Sequence, residues 1–387
     1  MPTMSIKTRW NLLALCALVL SGVFSRPASA ATEQWTPEKA NQWYARQPWL
    51  VGANFNPSTA INQLEMWQAD TFDLKTIDRE LGWAEDLAFN SVRVFLHHLL
   101  WEQDREAFLQ RMEQFLDVAA KHHVGVMFVL FDSVWDPNPK LGKQRDPRPH
   151  LHNSGWVQSP GKKDLQDPSR RKLLEQYVSG VVGHFKDDRR IHAWDLFNEP
   201  DNTNDNSYGV NGSKEEPEKE LKQRLSLALL EQTFNWARQP SPSQPLTSGV
   251  WRGDWTSDEK LTLMEKVQLK RSDVITFHSY DPPEQVKRRV ESLKRLGRPI
   301  LCTEYMARPR GSRFEPVLEY FKQEKVGAYI WGFVAGKTQT IYPWDSWQKK
   351  YTAEPPVWFH DVFRPDGTPY DRNEVEYVKR VTGKAGS

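Results

Sequence analysis

The chain has 387 residues, of which 39% are hydrophobic, so it is long enough and apolar enough to fold around a core. Its 52 basic and 50 acidic residues nearly balance, which argues against nucleic acid or an anionic membrane surface as the main partner. An uncharged ligand fits this composition better.

Residues 1–30 have the pattern of a secretory signal peptide. Lys7 and Arg9 precede a short apolar stretch, and small residues up to Ala30 supply a cleavage site. The stretch is shorter than the ~20 apolar residues that a membrane-spanning helix needs, and no later stretch approaches that length. We therefore expect an exported protein, periplasmic or extracellular, without a membrane span. We expect its mature chain, residues 31–387, to be one domain and a monomer.

Eight short apolar runs predict eight β-strands. Most of these runs are continuously hydrophobic, as expected for parallel strands that are covered on both faces. The predicted strands are residues 49–54, 91–96, 125–131, 191–198, 244–250, 274–278, 299–303 and 328–333.

Helical patterns alternate with these strands. They cover residues 76–88, 104–122, 169–185, 218–238, 257–266, 283–296 and 314–324, and residues 374–381 could form a closing helix. Strand followed by helix, repeated around eight strands, predicts an α/β fold, a (β/α)8 TIM barrel. The strand-to-helix loops are enlarged, above all residues 132–168, 201–217 and 338–371, and such loops build the active sites of barrel enzymes.

Polar and aromatic residues cluster at the carboxyl ends of the predicted strands. In chain order they are Asn54, Asn56, Arg93, His97, His98, Asp132, Trp135, Asn198, Glu199, Trp251, Arg252, His278, Tyr280, Glu304 and Trp331. Because buried polar groups cost free energy unless they are paired, this concentration indicates a site. Glu199 and Glu304 end the fourth and seventh strands, which meet at the same face of a barrel. Two carboxylates on one rim suggest cleavage of a glycosidic bond.

Several of these residues together resemble one known group of enzymes. They are Arg93 on the second strand, Asn198-Glu199-Pro200 after the fourth, His278-Ser279-Tyr280 after the sixth, Glu304 on the seventh and Trp331 in the eighth. Because these residues occur in this order along the strands, the chain resembles the clan A glycoside hydrolases, most closely glycoside hydrolase family 5. The resemblance spans roughly residues 50–331.

The resemblance implies a retaining double displacement without a cofactor or a metal. Glu199 would be the acid/base and Glu304 the nucleophile, with their carboxyl groups roughly 5–5.5 Å apart. Arg93 and Tyr280 would lower the pKa of Glu304 and keep it ionised. His278 and Tyr280 would orient the two acids and help to position the substrate.

The resemblance also implies substrate contacts. Asn198 would bond the 2-hydroxyl of the reacting sugar, and Trp331 would form the floor beneath that ring. The family's usual histidine after the third strand is replaced here by Phe131-Asp132-Ser133, so Asp132 is a candidate substrate contact or a support for one. Trp135 and Trp251 lie in loops on the same face and are candidate platforms for sugar rings. Four further tryptophans lie in loops on this face, namely Trp156, Trp255, Trp344 and Trp347. Each is either a platform for a sugar ring or a residue that packs within its loop.

The expected partner is a β-linked glycan, and an enzyme resembling an endo-β-1,4-glycanase is favoured. A non-catalytic carbohydrate-binding barrel would use the same aromatic residues but usually lacks one carboxylate. A metal-dependent hydrolase needs a cluster of ligands that the sequence pattern does not reveal, since His150 and His152 have no third ligand at a recognisable spacing. The identity of the glycan, exo or endo action, and hydrolysis or transglycosylation all stay open.

Overall fold

Eight parallel β-strands form the central sheet of the computed structural model, which describes residue 1 and residues 33–205 and 218–384. The strands are β1 Val51–Asn54, β2 Ser91–Phe95, β3 Gly125–Asp132, β4 Ile191–Asn198, β5 Leu246–Thr247, β6 Ile275–His278, β7 Ile300–Tyr305 and β8 Gly327–Ile330. Their order is β5-β4-β3-β2-β1-β8-β7-β6. A parallel bridge between Val250 and Phe277 joins the two end strands and nearly closes the sheet. The predicted (β/α)8 TIM barrel is confirmed.

Helices occupy the chain between and around these strands. In the described part they are α1 Pro37–Ala45, α2 Gln63–Trp67, α3 Leu74–Asp86, α4 His98–Gln103, α5 Arg105–Lys121, α6 Lys162–Gln166, α7 Arg171–His184, α8 Lys219–Arg238, α9 Leu263–Arg271, α10 Pro283–Lys294, α11 Phe314–Gln323 and α12 Arg372–Thr382. The described residues from 33 to 384 belong to one compact unit. The predicted signal peptide lies outside the described residues apart from Met1, so the boundary after residue 30 stays a prediction.

Several element boundaries differ from those predicted. The predicted helix 257–266 is wrong in its limits because Thr262 and Glu265 form a capping box, which begins α9 at Leu263. The predicted strand 244–250 pairs regularly only over β5, and Val250 rejoins the sheet as the single bridge to Phe277.

Two of these differences concern candidate site residues. Glu304, which was predicted to end the seventh strand, lies within β7, one residue before its last residue. Trp331 lies just after β8, because the strand ends at Ile330 and Gly332 then turns the chain at a φ of +78°.

The hydrophobic core has two parts around the barrel wall. The larger part lies where strands and helices pack together, and it includes Trp67 and Trp194, both wholly buried. A smaller group inside the barrel comprises Leu50, Met127, Ala193, Val274, Leu301 and Tyr329. Within the described residues, no helix combines the length and apolar character that crossing a membrane requires.

A third apolar cluster supports the carboxyl ends of the strands. Its buried members are Phe95, Val129, Trp135, Leu151, Trp156 and Trp347, and Trp331 and Trp344 pack against it. This cluster brings the long loop after β3 against residues that follow β8. It therefore fixes the aromatic side of the barrel mouth.

Candidate active site

Glu199 and Glu304 meet at the barrel mouth. A carboxylate oxygen of Glu199 and one of Glu304 lie within 4.8 Å of each other. His278 stands between them, with Nδ1 2.8 Å from Glu199 Oε1 and 3.5 Å from Glu304 Oε2. Glu199 follows β4 directly and has a φ of +43°, a backbone conformation that is uncommon outside glycine and clusters at functional sites.

Glu304 is held by three neighbouring side chains. Arg93 Nη1 donates to Oε1 at 2.8 Å, and the Tyr280 hydroxyl donates to Oε2 at 2.7 Å. Together with His278, these groups fix both oxygens of a carboxylate that is only 5% exposed. Tyr280 stays neutral as a donor, because burial and the adjacent Glu304 raise its pKa well above the usual value.

Arg93 is the hub of a buried network. The guanidinium is wholly buried and donates to Asp195 Oδ2 through Nε at 3.0 Å and Nη2 at 2.8 Å. It also donates to the amide oxygens of Asn54, at 2.8 Å, and Asn198, at 2.7 Å. Residues of β1, β2, β4 and β7 are thereby tied to one cation. Asp195 is not among the site residues predicted from the sequence, although it is the one acid in β4.

Asp132 is buried next to Asn198 and does not line the open rim of the barrel. It is 1% exposed, and its Oδ1 accepts from Asn198 Nδ2 at 3.0 Å. Its Oδ2 accepts from Trp156 Nε1 at 2.6 Å and from Gln63 Nε2 at 3.2 Å. Burial raises the pKa of Asp132 to about 7. Of the two roles left open for this residue, the geometry favours support of Asn198 over contact with a substrate.

Glu199 has a different environment from Glu304. Asn202 Nδ2 donates to its Oε2 at 2.6 Å, and among the described residues no arginine or lysine donates to it directly. Burial, helped by the charge of Asp201, raises the pKa of Glu199 to about 7. Glu199 is therefore protonated in an appreciable fraction of molecules at neutral pH.

The predicted net lowering of the Glu304 pKa is wrong. Burial raises the pKa of this carboxyl group, and the nearby Glu199 adds to the effect. His278, Arg93 and Tyr280 lower it, as expected of charged or donating neighbours, but they do not outweigh desolvation. The sequence identifies the neighbours but not the depth of burial that opposes them.

The candidate tryptophan platforms fall into two groups. Trp331, Trp251 and Trp344 are partly exposed. Trp331 meets the rings of Phe95 and Trp156 at 5.7 and 5.9 Å, nearly at right angles.

Trp251 donates Nε1 to Asp201 Oδ1 at 2.7 Å, which fixes the indole beside the residue that follows Pro200. In contrast, Trp135 is 9% exposed and stacks on Trp347 at 5.4 Å. Trp156, Trp255 and Trp347 are also buried. Trp135 is therefore placed as a packing residue at the barrel mouth, with little surface left for a sugar ring.

Comparisons with known proteins agree with this architecture. Residues 149–305, less than half of the chain, match the family model described as glycosyl hydrolase family 10, and this segment includes Glu199, His278 and Glu304. No curated protein matches the sequence significantly. The chain has the fold of a clan A glycoside hydrolase, similar to family 5.

Solved structures of glycoside hydrolases resemble this barrel at low sequence identity. A GH5_18 variant from Streptomyces cattleya, in complex with Manβ1-4GlcNAc, has a TM-score of 0.54 and 13% identity over 87% of this chain and 81% of its own. An exo-β-1,4-mannosidase from Opitutaceae bacterium strain TAV5 has a TM-score of 0.58 and 17% identity, over 87% of this chain but 59% of its own. A β-mannanase from the blue mussel Mytilus edulis has a TM-score of 0.51 and 16% identity, over 80% and 94%. At these identities the likeness establishes the fold.

His97 and His98 make structural contacts in this barrel. Both are wholly buried: His97 Nε2 lies 3.0 Å from Gln158 O, and His98 lies 2.9 Å from Ser159 Oγ and 2.8 Å from Asp164. These hydrogen bonds connect the start of α4 with the loop after β3. They place neither histidine beside the two glutamates.

The three central groups also have a spacing that a metal ion can use. One ligand atom each from Glu199, His278 and Glu304 lies within 4.8 Å of the others, a cluster that sequence reasoning did not find. A cation already occupies part of this environment, because Arg93 Nη1 lies on Glu304 Oε1. The buried guanidinium therefore places a positive charge beside Glu304.

Proposed function

We propose that this clan A barrel is a retaining β-glycosidase, with Glu199 as acid/base and Glu304 as nucleophile. The proposal depends above all on the approach of one oxygen from each carboxylate to within 4.8 Å. Retaining enzymes place their two carboxyl groups about 5–5.5 Å apart, whereas inverting enzymes leave about 6.5–9.5 Å for a water molecule. The short distance favours direct attack by one carboxylate.

In the first step, a Glu304 oxygen attacks the anomeric carbon while Glu199 donates its proton to the leaving glycosidic oxygen. The bond to the leaving group breaks, and an ester between the sugar and Glu304 forms. In the second step, Glu199 takes a proton from water, and the resulting hydroxide oxygen attacks the anomeric carbon. Glu304 leaves, so the configuration is retained overall. A sugar hydroxyl in place of water would give transglycosylation.

The surroundings of the two acids assign the shared proton. Two carboxyl groups this close titrate as a pair, so the first proton resides where the charged form is less stabilised. Arg93 and Tyr280 both donate to Glu304, while among the described residues Glu199 has only the neutral Asn202 amide and His278 as side-chain partners. The proton therefore resides on Glu199 and the negative charge on Glu304, despite the raised pKa of both groups.

We propose β-1,4-linked glycans as substrates, and among them we rank glycans with β-mannosidic linkages as the first candidates. The support is limited to fold neighbours, which include the exo-β-1,4-mannosidase and the mussel β-mannanase. Digestion of mannan, glucan and xylan, with product sizes followed over time, tests the linkage. Early products of many lengths would indicate endo action, and single sugars or one uniform product would indicate exo action.

Azide rescue tests the two roles separately. Azide can occupy the space left by Glu304→Ala and attack from that face, giving the α-glycosyl azide when the leaving group is activated. In Glu199→Ala it would instead intercept the glycosyl-enzyme ester and give the β-glycosyl azide. Hydrolysis should fall by several orders of magnitude in both variants. Full hydrolytic activity in either variant, or the same azide anomer from both, would reject the assignment.

We also propose export and a monomeric mature chain. Expression of the full chain with its own N-terminus, followed by mass measurement of the exported product, tests cleavage after residue 30. Light scattering of that product tests the oligomeric state.

A further inference from the structure

A small pocket opens beside Trp331, between residues that follow β1 and residues that follow β8. Phe95, Trp156 and Trp331 form an aromatic wall. Its polar lining consists of Asn54, Asn56, Thr338, Thr340 and Asp361. The cavity measures about 30 Å³, which is room for roughly two water molecules. The pocket therefore fits a small group that has both an apolar and a polar part.

The polar side of the pocket contains two buried oxygen atoms that lack a hydrogen-bond donor among the described residues. Asp361 is 1% exposed, and its Oδ2 accepts from Thr340 Oγ1 at 2.8 Å. Its Oδ1 and the buried Oδ1 of Asn56 have no hydrogen-bond partner among the described residues. Buried acceptors in proteins are nearly always satisfied, so these two oxygens indicate a hydroxyl donor from a ligand or from water.

Gly332 keeps the Asp361 oxygen uncovered. A Cβ at this position would lie 2.8 Å from Asp361 Oδ1, and the φ of +78° independently favours glycine. The residue directly after Trp331 therefore has no side chain between that ring and the carboxylate.

The pocket adjoins the catalytic network through Asn54. Asn54 lines the pocket and accepts from Arg93 Nη1, the atom that also donates to Glu304 Oε1. Asn54 Nδ2 donates to Thr303 O and Ile330 O, which fixes it between β7 and β8. A sugar ring on Trp331, next to Glu304, would thus have one edge over this pocket.

We propose that the pocket takes the exocyclic hydroxymethyl group of a hexose ring seated on Trp331, with its hydroxyl donating to Asp361 Oδ1. The methylene would lie against Phe95 and Trp156, and one carbon with one oxygen fits a space for two waters. The inference rests on the proposed glycosidase function and adds the sugar class, hexopyranosyl and not pentopyranosyl. Burial raises the pKa of Asp361 to about 6, which leaves it mainly an ionised acceptor at neutral pH.

A comparison of matched substrates tests the proposal. We would measure kcat/KM for a 4-nitrophenyl β-hexoside or β-hexo-oligosaccharide, for its analogue deoxygenated at C6 of the reacting ring, and for the corresponding pentose compound. Loss of a hydrogen bond to a charged group predicts that the wild type prefers the hexose over the 6-deoxy compound by about 10- to 100-fold. The pentose compound should be equally poor.

Asp361→Ala gives the second arm of the test. It should reduce the hexose preference to threefold or less, because kcat/KM falls for the hexose but hardly changes for the 6-deoxy compound. A purely structural residue would lower both values alike. If Asp361→Ala does not fold, Asp361→Asn keeps the shape and should show a reduced preference. Glu80→Gln, which alters a buried acid outside the pocket lining, serves as the control and should keep the wild-type preference.

Two results would overturn the inference: a wild-type preference near one, or the same preference in wild type and in the Asp361 variants. Either result leaves the glycosidase proposal intact. Failure to cleave any hexose compound or β-glycan would instead contradict the glycosidase function itself.

Discussion

Arg93 Nη1 lies 2.8 Å from Glu304 Oε1, and the same guanidinium donates to Asp195 on β4. One buried cation therefore neutralises two buried acids, of which one is the proposed nucleophile and the other is Asp195. The arrangement couples stability to the proposed chemistry. Removing the cation would leave both carboxylates without their charged partner.

Arg93→Met should destabilise the fold by about 3–5 kcal/mol, because breaking a buried ion pair leaves an uncompensated charge. Urea unfolding measures the change in free energy. Lys121→Ala is the matched control: Lys121 pairs with Asp78, but its side chain is 62% exposed, so the expected cost is about 1 kcal/mol or less. Equal effects of the two substitutions would contradict the role given to Arg93.

Activity should decline as pH rises through about 7, because Glu199 must be protonated to donate and burial raises its pKa to about 7. Asn202 donates to Glu199 and favours its charged form. Asn202→Ala should therefore raise the Glu199 pKa and move the alkaline limb of kcat/KM to higher pH. A shift to lower pH, or no shift with otherwise normal kinetics, would argue against Glu199 as the acid.

Trp331→Ala should weaken glycan binding and lower kcat/KM by roughly tenfold or more, because a partly exposed ring offers an apolar face to a sugar. Trp255→Ala provides the contrast, since Trp255 is 2% exposed and contacts Glu265 through its indole nitrogen. It should mainly reduce stability, by about 3–5 kcal/mol. Steady-state kinetics and thermal unfolding of both variants separate the two roles.

Chelation should leave the activity unchanged. In the proposed glycosidase mechanism, Glu199, His278 and Glu304 lie close together without a metal, and Arg93 supplies the positive charge beside Glu304. Assays before and after dialysis against EDTA check this. Loss of activity that returns on addition of a divalent metal would favour a metal-dependent hydrolase.

The barrel was predictable because its strands carry strong local signals. The bounds of β4 agree with the predicted 191–198, since a run of eight residues, seven of them buried, ends at the Asn-Glu-Pro turn. The short helices α2, α4 and α6 were not predicted, because five or six residues are too few to establish a helical period. Tertiary contacts with the long loops decide these segments.

Site residues at the ends of strands could be predicted from the sequence. Loop contacts and side-chain exposure were less predictable, because they depend on packing in the folded structure. Arg93, Glu199, His278, Tyr280 and Glu304 converge as the strand order requires. Contacts made by the loops, such as that of Asn202 with Glu199, and the lone buried acid Asp195 depend on the folded arrangement. Exposure likewise depends on packing: Trp135 and Trp331 are both near strand ends, yet only Trp331 keeps an accessible ring.

The central claim is that Glu304 forms a covalent bond with the sugar, and trapping that intermediate tests it most directly. A 2-deoxy-2-fluoro β-glycoside of the preferred sugar, with a good leaving group, should add one glycosyl unit to the protein. Mass spectrometry of the digested protein should locate that unit on Glu304, and Glu304→Ala should not be labelled. Under conditions where the native substrate is cleaved, a label on Glu199, or inverted products with no label at all, would contradict the proposed mechanism.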